Sequence, residues 1–192
     1  MRKALASCTA GIAAIEFAIV APVFLILLIS ICDIGQMLYA RALLSGAVEH
    51  AARAATTETV DTASIDASVK AAVLPIIPGA TFTFARQSYN DFTDVGRAEK
   101  FTDSNSNGKC DNNEAYIDEN GNGQWDAEIG KSGNGGADDI VLYTVTASYT
   151  PLIAVPLLPN STSAVTISAK AVRKNQPFTT QSSYSTTTGI CS

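Results

Sequence analysis

Residues 17–32 read FAIVAPVFLILLISIC, and the six residues before them, 11–16, read GIAAIE. From Phe17 to Cys32 only Ser30 is polar, and carrying the run back to Ile12 adds one charge, Glu16. As a helix, about twenty such residues rise 1.5 Å each and cross the roughly 30 Å of a bilayer's hydrocarbon core. The chain therefore reads as a membrane helix followed by an outer domain. Ahead of the run, Met1 to Gly11 carries Arg2 and Lys3 and no acid. Basic residues stay on the cytoplasmic side, which puts the leader inside and the C-terminal part outside, although Arg41 beyond the run weakens that bias.

Outward from the membrane the helical pattern continues. Tyr39 to Ala55 is rich in Ala and Leu and has no proline, so residues 12–57 are expected to form one helix of about 65 Å. Pro22 lacks an amide donor and is expected to kink the helix or melt a turn. Ala63 to Leu74 reads as a second helix, closed by Pro75 and Pro78. After Gly79 the period changes from helical to alternating. Thr81–Phe84, Asp139–Tyr149 and Val165–Val172 each place apolar side chains on one face of a strand. One-sided strands suit an antiparallel sheet lying against a helix, an α+β arrangement.

The 192 residues hold one compact domain plus an accessory segment, and 46% apolar with 16% charged residues excludes wholesale disorder. The formal charge is −5, yet residues 99–139 hold ten acids against three bases, a net of −7. The acidity is local, and no basic groove for nucleic acid is present. A single histidine, His50, and no Cys-x-x-Cys pair argue against zinc. No nucleophile elbow, phosphate loop or serine–histidine–aspartate set appears, which argues against an enzyme.

Three processing sites compete. Ile31–Ile34 lacks the small-x-small pattern of a signal-peptide site, and the lipoprotein-like Leu5-Ala6-Ser7-Cys8 has no hydrophobic stretch ahead of it. The third site lies after Gly11, so that a mature chain would begin at Ile12 with Glu16 in fifth place. Gly11, four apolar residues, Glu16 and Phe17 resemble the prepilin-peptidase motif of the type IV pilin superfamily. More closely, GIAAIEFAIVAP over 11–22, DIGQ over 33–36 and AARAA over 51–55 resemble the TadE-like pseudopilins of tight-adherence (Flp) pili.

The resemblance implies a pilin-like fold, with a long membrane helix packed on a small antiparallel sheet. It divides the chain into a leader (1–11), a transmembrane and assembly helix (12–57) and an extracytoplasmic domain (58–192). It also implies cleavage between Gly11 and Ile12 by a prepilin peptidase, and work with other pilin or pseudopilin subunits on an inner-membrane assembly platform. Glu16 and Phe17 would be assembly residues. An ionised carboxylate inside a bilayer costs several kcal/mol unless partnered. The α-amine of a neighbour's Ile12 would supply that partner and set axial register; otherwise Glu16 lies near the membrane face and is simply tolerated.

The long acidic stretch suggests calcium. Asp103, Asn105, Asn107, Lys109 (through its carbonyl), Asp111 and Glu114 occupy positions 1, 3, 5, 7, 9 and 12 of a twelve-residue calcium loop, with Gly108 at position 6. Alternating oxygen side chains let a tight loop turn around a hard cation. A second run repeats the pattern with Asp118, Asn120, Asn122, Gly123 and Asp126, but Ile129 stands at position 12 and Glu128 is one residue early. Together the candidate loops cover residues 103–129. No amphipathic helices flank them, so a structural ion fits better than a helix-pair sensor. The competing reading is a solvated Asn-Gly-rich turn region without metal.

Of the four cysteines, Cys8 would leave with the leader and Cys32 lies at the membrane edge. Cys110 and Cys191 remain as a pair that an oxidising periplasm would allow to bridge. Spacing alone does not establish that bond. The tail, Asn175 to Ser192, is half Ser and Thr and is expected to be loosely held without it. Two functional classes stand: a structural pseudopilin, or an uncleaved single-pass inner-membrane protein displaying a calcium-binding adhesion or sensor domain.

Overall fold

The computed structural model describes residues 10–56, 61–151, 164–177, 181 and 183–192, apart from the side chains of Ala10 and Ile12. The leader ahead of Ala10, with Arg2, Lys3 and Cys8, lies outside the described residues, as do residues 57–60.

The first helix, α1, is unbroken from Ala10 to Ala54. It runs through Pro22, so the melted turn does not occur: one missing donor in a 45-residue ladder leaves the turns on both sides free to propagate. Ser30, the one polar residue of the apolar run, returns its hydroxyl proton to the Ile26 carbonyl at 2.8 Å. Along α1 the surroundings change abruptly. From Ile15 to Tyr39 most of the large apolar side chains are exposed, Phe17 by 73% and Ile34 by 55%, with Ile26, Ile29 and Met37 half-buried. From Ala40 onward the helix has a covered face: Ala40, Leu44, Val48, Ala51 and Ala52 recur at helical spacing and are all buried.

That face packs on a second helix, α2 (Thr62–Val73), and on a sheet. Asp61 caps α2 by accepting from the Ala63 amide at 3.0 Å, and Ile65, Val69 and Val73 form its buried stripe. The strands are β1 (Thr81–Tyr89), β2 (Ala115–Asp118), β3 (Lys131–Ser132), β4 (Ile140–Tyr149), β5 (Val165–Lys174) and β6 (Thr187–Ile190). β3, β1, β4 and β5 form one antiparallel sheet in that order, and β2 with β6 a small second one. In the register Phe84–Val145–Ala169, alternate residues of three strands share the face turned to α1. The opposite face carries Thr83, Thr146 and Ser168 near one end. At the other end it carries a second apolar cluster of Tyr89, Ile129, Ile140 and Leu142. The result is α+β and pilin-like.

Polar ties fix the layers. Arg86 of β1 pairs with Asp66 of α2, which also accepts from the Tyr143 hydroxyl at 2.6 Å, while the guanidinium stacks over the Tyr143 ring. Arg173 of β5 pairs with Glu49 of α1. β1 extends to Tyr89, five residues beyond the expected strand, because Ala85–Tyr89 continue the ladder with β4. β4 spans ten residues, about 30 Å. The Tyr149 end of β4 lies beside Asp33–Met37 of α1, and the Ile140 end meets the acidic segment.

Candidate functional site

The acidic segment is folded around β2. Loop 103–114 enters β2 at Ala115, and loop 118–129 begins at the strand's last residue, Asp118. In each loop the first aspartate folds the chain over itself. Asp103 accepts from the Asn107 and Gly108 amides at 3.1 and 2.8 Å, and Asp118 from Asn122 and Gly123 at 3.0 and 2.9 Å. Gly108 and Gly123 both sit in the left-handed region, φ +75° and +81°, which makes glycine the fitting residue at the sixth position. Asn105 and Asn107 aim their amide nitrogens at Asp111 Oδ2 (2.7 and 2.6 Å), and Asn120 and Asn122 aim theirs at Asp126 Oδ2 (2.7 and 2.5 Å). The amide bonds from Asn105 and then Asn107 hold the Asp111 carboxyl below the usual range.

Closure differs between the loops. In the first, Glu114 accepts from the Ser104 amide with one oxygen (2.7 Å) and the Asp111 amide with the other (2.9 Å). In the second, Ile129 at the twelfth position is fully buried in the apolar cluster, and Glu128 turns away to the Tyr89 hydroxyl. Glu99 takes the vacated role. It accepts from the Glu119 amide at 2.7 Å with Oε1 and from the Asp126 amide at 3.2 Å with Oε2, the same second and ninth loop positions that Glu114 serves. Backbone pairing places it there: Glu99 N donates to Asp126 O at 3.0 Å, and Ile129 N to Arg97 O at 2.9 Å. Trp125 adds its indole N–H to the Glu99 carbonyl at 3.2 Å. Local sequence could not reveal Glu99, because its partner loop begins nineteen residues later.

Glu99, Glu114 and Asp118 are all more than nine-tenths buried, and among the described residues none forms an ion pair. Glu119 beside them does, with Arg97 at 2.7 Å and Lys100 at 3.5 Å. Buried carboxylates without a counter-charge are costly, and backbone N–H bonds offset only part of that cost. The oxygen-rich donors, carboxylates with Asn amides and a backbone carbonyl, suit a hard cation. Among the described residues no three His, Cys, Asp or Glu side chains form a ready ligand group. The Asn amides would have to turn their oxygens inward, exchanging their bonds to Asp111 and Asp126 for the cation.

A disulfide joins Cys110, in the eighth position of the first loop, to Cys191, with Cα atoms 5.9 Å apart. The backbone reinforces it: Asn113 N donates to Cys191 O and Cys191 N to Glu114 O. β6 then pairs with β2, so the end of the Ser/Thr-rich tail is held in a ladder. Gly189 is required in it, since a Cβ there would enter the Tyr116 ring. Behind the second loop, Tyr184 accepts from the Asn90 amide and donates to Asp94, and burial pushes its phenol up to about 12. Burial and Glu128 likewise raise Tyr89.

The residues expected from the sequence to serve processing and assembly lie on the apolar half of α1. The bond after Gly11 falls in the first turn of α1, and Glu16 and Phe17 are exposed on it. No described cation lies within ion-pair distance of Glu16. Cys32 is free and exposed, and α1 is long and apolar enough to cross a membrane. No curated protein and no solved structure matches the chain. A family model does match, that of TadE-like protein, over residues 11–53, a span that coincides with α1: the protein carries a TadE-like N-terminal segment.

Proposed function

We propose that this protein is a minor pilin of a tight-adherence pilus, with α1 crossing the inner membrane and the sheet domain in the periplasm. The observation that carries the reading is the coincidence of the TadE-like span with a helix whose apolar half the domain leaves bare. A helix so exposed needs lipid or the helices of other subunits around it. TadE-like pilins are structural, so the role is assembly or anchoring rather than catalysis. In this reading prepilin peptidase cuts between Gly11 and Ile12, and Glu16 then neutralises the Ile12 amine of a neighbour on the assembly platform.

N-terminal sequencing of the protein from its native membrane tests the processing step. A start at Ile12 supports it; an intact Met1 overturns it in favour of an anchored display module. Glu16→Gln should insert normally yet enter the fibre poorly, and unchanged piliation would remove the register role.

The two acidic loops are proposed as structural calcium sites. Asp103, Asn105, Asn107, the Lys109 carbonyl, Asp111 and Glu114 would serve the first, and Asp118, Asn120, Asn122, Asp126 and Glu99 the second. Calorimetry and thermal unfolding of the full chain in detergent, with and without millimolar Ca²⁺, test this: absence of both heat and a shift in Tm sinks it.

A further inference from the structure

The domain has two unlike poles. At the Ile140 end of β4 lie the acidic loops, with the net −7 of residues 99–139. At the Tyr149 end, about 30 Å away, is an apolar groove of about 120 Å³ lined by Ile34, Met37, Tyr149, Pro151 and Val165. The turn from α2 into β1 sits beside it: Gln36 Nε2 donates to the Ile76 carbonyl at 2.7 Å, and Pro75 and Pro78 flank that residue, both exposed. Among the described residues Asp33 is the only charged one lining the groove. We infer that this foot rests on the outer leaflet of the bilayer, with a lipid surface as its partner.

Three observations select lipid. The foot is continuous with the bare half of α1, whose exposed apolar side chains run on through Ile34 and Leu38 beside the groove. Taking Cys32 as the end of the hydrocarbon span places residues 34–38 within about 10 Å of that boundary, the depth of the headgroup and upper-chain region. Displacing so acidic a pole to the far end also keeps it from an anionic leaflet. Contact of this kind would limit the tilt of the domain on its helix before the subunit leaves the membrane.

The inference rests on the membrane-anchored reading above, and tryptophan quenching in vesicles separates the two. The full chain is reconstituted in phosphatidylcholine, with phosphatidylcholine brominated either near the ester end or near the methyl end of its chains. Native Trp125, at the acidic pole, serves as the distal reference. In a Trp125→Phe background, Pro78→Trp should lose emission about twofold to the shallow bromines. Leu27→Trp should respond to the deep ones, and Trp125 to neither. If Leu27→Trp is quenched while Pro78→Trp behaves like Trp125, the foot stands clear of the bilayer and the inference fails, with the membrane reading intact. If Leu27→Trp is itself unquenched, both fall. If Pro78→Trp escapes the shallow bromines at high protein content and is quenched only on dilution with lipid, another subunit covers the foot and the lipid contact is overturned. A nitroxide on Pro78→Cys, with Cys8→Ser and Cys32→Ser, must give the same depth, since tryptophan has its own preference for interfaces.

Discussion

Loop 103–114 draws its closing carboxylate from its own twelfth residue, Glu114, whereas loop 118–129 draws it from Glu99 on the segment that leads into the first loop. The first is pinned from outside by a disulfide at its eighth position; the second is backed by an apolar cluster that occupies its twelfth. The same internal hydrogen-bond map is thus held by two kinds of support, one a carboxylate of the loop itself with a covalent clasp, the other a carboxylate from outside the loop with a packed apolar backing. A carboxylate's function belongs to the place where its oxygens arrive, and a neighbouring strand can deliver it as well as the loop itself.

The largest effect should come from the covalent support. Cys110→Ser with Cys191→Ser opens a ring of sequence separation 81, worth about 4.5 kcal/mol in the chain-entropy account, read by urea unfolding under oxidising conditions. Hydrogen exchange should rise in the first loop and β6 and stay low around Ile129; equal loss in both loops would erase the contrast. Next, Glu99→Ala strips the acceptor from the Glu119, Asn120 and Asp126 amides and should cost about 3 kcal/mol, while Glu128→Gln leaves the second loop closed. A Glu128 effect on that loop larger than the Glu99 effect would reverse the assignment. Glu114→Gln keeps one acceptor oxygen and should cost about 1 kcal/mol, confined to the first loop by the same exchange measurement.

The smallest effects are those of pH, and they should separate the loops by sign. Asp111 is held low, so its contribution is complete above the ordinary carboxylate value of 3.8 and is lost as pH falls through the folded value: acid loosens the first loop. Tyr184 and Tyr89 are raised, so their contribution is complete below 10.0 and is lost as pH climbs, for Tyr184 toward about 12: alkali loosens the backing of the second. Tyr184→Phe should flatten the alkaline limb of a Tm–pH curve and leave the acid limb unchanged.

Much of this was legible along the chain. The bare and covered halves of α1 follow from an uncharged run giving way to Ala and Leu at helical spacing, and the faces of β5 and of β4 beyond Tyr143 from alternation. The sixth-position glycines announce both loops. What escaped has a common cause in partners far apart in sequence. Thr187–Ile190 has no strand-like apolar pattern and is ordered by pairing with β2. Of the two effects expected at Pro22, the melted turn is absent because the helical ladder on both sides carries through the one missing donor. Glu99 was invisible because a motif scan asks what stands at position 12, and the buried cluster had already claimed Ile129 for that position.

The bond that secures the first loop joins Cys110 to a cysteine 81 residues further along the chain. Synthesis runs from the N-terminus, so every other element can emerge and pack before Cys191 exists to meet Cys110. Closure of that loop therefore waits until the last strand has been made: a nascent chain stalled at Ile190 would present the whole sheet domain with its outermost clasp undone.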